Sequence, residues 1–263
     1  SADRRQPDHR TAGRRRRPDG VPQVGHAQAD LGWARVRDAA GTHVQELLPD
    51  RPVRRGQDGH EARITDVAQL RRIIGEPSAQ VPLKLHRRLT ESARAFIARS
   101  PMFLLASANA NGQPTVSPKG DPAGFVQVAE DGALLVPERK GNKLVFSLTN
   151  VLANPRVALI FLVPGTDETL RVEGEAELLD DADLCDRFME RGRPALLVMR
   201  IRVTGCYFHC AKAFLRSALW NPTQWPEPIP VSFGAEIAAN GGLEAGSVAA
   251  FDAAVHGRYR TDL

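Results

Sequence analysis

The chain has 263 residues, 42% hydrophobic and 25% charged, with a net charge of +4, the make-up of an ordinary folded protein long enough for a real core. All of the surplus charge lies in residues 1–60, which hold 12 arginines, no lysine and 8 acids; the remaining 203 residues carry 23 basic and 23 acidic side chains and cancel. A neutral folded part argues against a nucleic-acid partner, and no apolar run approaches the ~20 residues of a membrane span.

Three cysteines (Cys185, Cys206, Cys210) without a secretory signal argue against a disulfide framework and for a reducing, cytoplasmic setting. Residues 1–60 are Arg-, Gly-, Asp- and Pro-rich, with a run of four arginines at Arg14–Arg17 and no sustained apolar period. They read as a disordered or non-native segment. Pattern begins near Ile64. Val67, Leu70, Ile73 and Ile74 recur at helical spacing, and Gly75 stops the run. Thr90 is placed to cap a second helix over Glu91–Arg99, with Ala93, Phe96 and Ile97 on one face.

The period then changes to alternation. Met102–Ala108 and Gln113–Ser117 flank an Asn111-Gly112 hairpin turn; Phe125–Val128 and Ala133–Pro137 flank Asp131-Gly132. A helix is expected over residues 144–153, with Leu144, Leu148, Val151 and Leu152 on one side, broken by Asn154-Pro155. Val157–Val163 and Thr169–Leu179 read as strands, the second with Leu170, Val172, Gly174, Ala176 and Leu178 on one face. A helix from Asp180 through Glu190, a long strand from Ala195 to His209 and a helix over Ala211–Leu219 follow. Residues 61–225 therefore read as the domain, and 226–263 as a peripheral tail. Six or seven mostly antiparallel strands with short helices predict a mainly β barrel with α decoration. Regular βαβ alternation, a Gly-x-Gly-x-x-Gly turn, a P-loop and a His-Glu-x-x-His helix are all missing from the sequence.

Two turns carry the chemistry. Ser117-Pro118-Lys119-Gly120-Asp121 sets a lysine beside a glycine where one strand ends. Glu138-Arg139-Lys140-Gly141-Asn142-Lys143 packs three cations around a glycine where the next strand ends. Cations beside approachable backbone suit a phosphate monoester, although a solvated hairpin turn has the same composition. Cys206, His209 and Cys210 do not make a metal site, because on a strand His209 points away from the two cysteines; no metal is expected.

These two turns, together with Asn150-Val-Leu-Ala-Asn-Pro-Arg-Val157 and Leu170-Arg-Val-Glu-Gly-Glu-Ala176, resemble the pyridoxamine 5′-phosphate oxidase-like FMN-binding family from about Ile64 to Trp225. The resemblance implies a six-stranded antiparallel split barrel that forms a homodimer, with FMN held between subunits. It places Arg139, Lys140, Asn142 and Lys143 at the FMN phosphate, and Ser117, Lys119, Gly120 and Asp121 along the isoalloxazine edge. Cys210, Lys212, Arg216 and Trp220 are candidates for closing the pocket, Arg216 and Trp220 by sharing a helical face. The function implied is an FMN-dependent oxidoreductase using a small-molecule electron donor and acceptor. Members that oxidise pyridoxamine phosphate carry an Arg-Leu-His-Asp-Arg-like segment near their end, where this sequence has Gly257-Arg-Tyr-Arg-Thr-Asp-Leu263, so that substrate is not expected. Non-enzymatic flavin or haem binding (His209 being the axial-ligand candidate) and deazaflavin-dependent reduction remain open on the same barrel.

Overall fold

The computed structural model describes residues 63–262; the Arg-rich segment 1–60 lies outside them. Helix α1 (Val67–Ile74) is capped by the Asp66 carboxylate, which accepts the Gln69 N–H, and ends at Gly75. In α2 (Glu91–Arg99), Thr90 caps Ala93 N–H while Ala93 and Ile97 are buried. Phe96 meets Phe208 edge-on at 5.5 Å. At the end of α2 the buried Ser100 hydroxyl lies 2.6 Å from the Leu162 carbonyl, tying the helix to the sheet.

The strands are β1 (Met102–Ala108), β2 (Pro114–Gly120), β3 (Gln127–Val128), β4 (Leu134–Glu138), β5 (Arg156–Leu162), β6 (Thr169–Leu179) and β7 (Leu197–His209). Between them lie α3 (Phe146–Ala153) and α4 (Ala182–Asp186), and after β7 come α5 (Lys212–Ser217), α6 (Phe233–Ala239) and α7 (Val248–Thr261). All strand pairs are antiparallel, in the order β2-β1-β5-β6-β7-β4-β3. The inward faces bury Phe103, Leu105, Leu134, Val136, Leu159, Phe161, Leu170, Val172, Met199 and Ile201 in one core.

The longest pairing, β6 with β7, is interrupted by a bulge between Glu173 and Gly174. A Cβ built on Gly174 would lie 2.6 Å from both the Arg202 carbonyl oxygen and Ile201 Cγ2, closer than any side chain tolerates. Bulges of this kind strengthen local twist and let a sheet curl. The register across the sheet is staggered as well. From Lys119 the rows run through Phe103, Phe161 and Leu170 to Phe208, whereas Glu138 of β4 pairs with Leu197, eleven positions away on β7. Such a stagger accompanies strongly tilted strands in a closing barrel. It brings the end of β2 against the end of β4, where Lys119 meets Glu138 without any backbone ladder between the two strands.

The structure corrects several sequence expectations. The antiparallel barrel is present with the seven strands that the pattern suggests, one more than the resemblance implied, and the strand expected over Phe125–Val128 is shortened to Gln127–Val128. Helix α3 buries Ser147, Asn150 and Val151, leaving Leu144 and Leu152 exposed. The reason is polar: Asn150 Nδ2 donates to Thr115 Oγ1 at 2.9 Å and Ser107 Oγ at 3.1 Å, pinning the helix to the β1–β2 hairpin. Helix α4 stops at Asp186 and not at Glu190, since Phe188 turns into a small core with Leu135, Cys185, Ala195 and Val198. Arg191 and Gly192 then reverse the chain with positive φ. The segment after Trp225 contains two helices, joined where Asp252 accepts hydrogen bonds from Ser232 and the Gly234 N–H.

Replacing Gly174 by alanine is expected to lower stability by about 2–3 kcal/mol through steric overlap with β7. Gly141→Ala, whose Cβ meets nothing within 4 Å, serves as the control, and urea unfolding midpoints measure both.

Candidate functional site

Alternation along β2 turns Thr115, Ser117 and Lys119 inward to half-buried positions and leaves Val116 and Pro118 exposed. Lys119 Nζ donates to Glu138 Oε2 at 2.5 Å, with both side chains largely covered. One residue beyond β2, Asp121 accepts from Arg139 Nε at 2.7 Å, and Arg139 Nη1 donates to the Phe188 carbonyl at 2.7 Å. Two ion pairs therefore join the end of β2 to the end of β4. They also engage the charges of Lys119 and Arg139, leaving Nη2 as the end of the guanidinium without a partner among the described residues. Gly120 sits where a Cβ would press on the Pro101 carbonyl at 3.2 Å, so small size is needed there to seat the strand end.

The turn after β4 is differently disposed. Lys140 Nζ donates to Asp262 Oδ1 at 2.9 Å in an exposed pair with the end of α7. That hydrogen bond, more than any other influence, holds the Asp262 carboxyl below the usual carboxylate range. The pair is complete above ordinary carboxylate pKa values and is lost as pH falls through the lowered one. Arg193 Nη2 donates to the Thr261 carbonyl at 3.0 Å, so both anchors hold the same helix end. Asn142 Oδ1 accepts the Leu144 N–H at 3.0 Å, which leaves its amide nitrogen without a partner among the described residues. Lys143 is exposed, stands at φ +63°, and forms no ion pair among the described residues. A Cβ built on Gly141 would meet nothing within 4 Å among the described residues.

The second group of candidates does not join this cluster within one chain. Cys210, Lys212 and Arg216 are exposed beyond the His209 end of β7. That end lies on the order of 40 Å along the strand from Leu197, the partner of Glu138. Helix α5 ends at Ser217 and Ala218 takes φ +49°, so Arg216 and Trp220 share no helical face, contrary to expectation. Trp220 instead stacks on Phe214 and donates its indole N–H to the Thr166 carbonyl at 2.9 Å. Burial, helped by Arg171 and Lys84, pushes the His209 imidazole below its ordinary pKa. Cys206 is buried, donates toward the Arg88 carbonyl at 3.1 Å and has its pKa raised by desolvation.

Sequence reasoning missed Glu138 and Asp121 as the counter-ions of Lys119 and Arg139, although alternating charge in the two turns was the available signal. It had no means to find Asp262 or the Phe188 carbonyl, which lie 122 and 49 positions from their partners.

This division of labour is testable by stability alone. Arg139→Ala removes the Asp121 pair and the Phe188 bond and is expected to cost roughly 1–3 kcal/mol. Lys143→Ala, with nothing to lose, is expected to leave the unfolding midpoint where it was.

Residues 89–210 match the family model described as Pyridoxamine 5′-phosphate oxidase. Among solved structures, HupZ of Group A Streptococcus is 18% identical, covering 46% of this chain and 93% of that one at a TM-score of 0.38. General Stress Protein 26 of Bacillus anthracis is 19% identical, covering 43% and 88% at 0.33. The haem storage protein HutZ of Vibrio cholerae is 18% identical, covering 46% and 94% at 0.31. No curated protein matches the chain. No described helix is long and apolar enough to cross a membrane. The matching segment runs from α2 through β7, so the part of the chain that is similar to the pyridoxamine 5′-phosphate oxidase family is the barrel itself.

Proposed function

We propose that the chain is an FMN-dependent oxidoreductase whose cofactor phosphate is held by the turn between β4 and α3. The observation that carries this reading is Lys143, which forms no ion pair among the described residues and is held in a left-handed turn beside the Asn142 amide nitrogen. Lys119 at the end of β2 and Arg139 at the start of the same turn are already matched by Glu138 and Asp121. A surplus cation beside neutral pairs suits an anionic group more than a structural role. The donor set fits a phosphate dianion: Lys143, the Asn142 amide, Arg139 Nη2, and Lys140 once it exchanges the Asp262 carboxylate for the ligand. All are donors, and charge-assisted bonds of this kind are the strong ones.

Flavin bound there would supply the electron-transfer chemistry, with a small-molecule donor and acceptor. The chain's own contribution is position and charge. β2 is a sheet edge, so its outward backbone groups are available to the polar rim of a ring laid alongside Ser117–Asp121. The Lys119–Glu138 pair sets a lysine at that rim in a defined orientation. Around the turn, Val116, Leu144, Phe146 and Leu152 are all more than half exposed. An apolar surface flanking a charged site favours coverage by a second copy of the chain, and a second copy is also what the distant Cys210–Trp220 segment needs in order to close the pocket.

A charge-assisted contact to an ionised group contributes ~1.5–3 kcal/mol, or roughly a tenfold to hundredfold change in affinity. Lys143→Ala is therefore expected to weaken FMN binding by about that factor and to leave riboflavin, which has no phosphate, nearly unaffected. Equal loss of both ligands would move Lys143 from the phosphate to the framework. No loss of either would remove the turn from the site.

A further inference from the structure

At the opposite end of β4 from the strand-end cluster, the structure contains a cavity of about 410 Å³ lined by Arg87, Arg88, Arg94, Glu130, Arg202 and the Asp131–Gly132 turn, among others. From this geometry we infer that the chain has a second anion site, built to take a small phosphate monoester.

The charges around the cavity do not cancel. Arg202 is paired with Glu175, and Asp131 with Arg200. Arg87, Arg88 and Arg94 form no ion pair among the described residues. Glu130 is then the one lining carboxylate left to oppose them, so the cavity carries a surplus of two positive charges. That matches a phosphate dianion, and guanidinium forks fit phosphate oxygens in pairs. The volume lies within the range of small-ligand pockets, well above what a bare ion needs.

The arginines are also presented on rigid backbone. The segment carrying Arg87 and Arg88 is fastened to β7 on both sides. His86 N–H donates to the Cys206 carbonyl at 2.9 Å, Cys206 N–H to the His86 carbonyl at 2.7 Å, and the Cys206 thiol reaches the Arg88 carbonyl. Arg94 projects from the first turn of α2, and its Nη2 lies 3.4 Å from where a Cβ on Gly132 would stand. Its guanidinium is therefore laid over the β3–β4 turn at the mouth of the cavity. Neither the sheet closure nor the turn after β4 involves any of these three side chains.

The test is calorimetric titration of the full chain with ribose 5-phosphate, and with ribose as the unphosphorylated control. One saturable, salt-sensitive event per chain with ribose 5-phosphate, and none with ribose, is expected. Arg88→Gln and Arg94→Gln should each weaken it about tenfold. Glu130→Gln should tighten it severalfold by removing the opposing charge, an effect that mere support of the fold would not produce. Circular dichroism melts confirm that each variant folds. Binding that survives both arginine substitutions, or that is lost only in Lys143→Ala, would overturn the inference and assign the anion to the strand-end turn. Equal binding of ribose, or no saturable event, would overturn it outright.

Discussion

The approach of β7 onto Gly174 governs the shape of the barrel. β6 and β7 are the two longest strands, and the bulge between Glu173 and Gly174 lets them coil past one another at a point where no side chain fits. Coiling there adds to the eleven-position stagger, built up across the whole sheet, that carries β2 round to β4. Without it, Lys119 and Arg139 would lie on opposite margins of an open sheet, far from Glu138 and Asp121. The two ion pairs are thus a consequence of curvature, and they hold the seam that backbone hydrogen bonds leave open.

That seam explains why cations close together in sequence do different work. Lys119 and Arg139 face carboxylates across it and are partly covered. Lys140 faces a carboxylate from the far end of the chain in an exposed pair. Lys143 faces none among the described residues. The same strand, β4, therefore ends at a cationic turn and begins beside an arginine-lined cavity, with the core side chains Leu134 and Val136 separating them. Five residues of strand keep the two groups of cations apart, each with its own charge balance.

Much of the barrel could be read from the sequence because its signals are local. Thr90 capping α2, Asn111-Gly112 turning the first hairpin and the alternation of Thr169–Leu179 all rest on neighbours within a few positions. Helix α3 was misread because its buried face is polar: Asn150 satisfies two hydroxyls on another element, which no apolar count can register. The early end of α4 has the same origin, since Phe188 is drawn into a core assembled from β4 and β7. The site residues of both turns were visible as composition. Their pairing was not, because it follows from the stagger of the whole sheet, and the cavity of Arg87, Arg88 and Arg94 joins three segments that have no sequence signature in common.

The central claim is that the curled sheet presents a phosphate-binding turn for a flavin shared between two copies of the chain. Size-exclusion chromatography of FMN-reconstituted protein, with light scattering and visible absorbance read on the same peak, tests it most directly. The account predicts a mass of two chains co-eluting with one flavin spectrum per chain. A flavin-loaded monomer would contradict the shared site, and a dimer that elutes without flavin would contradict the cofactor.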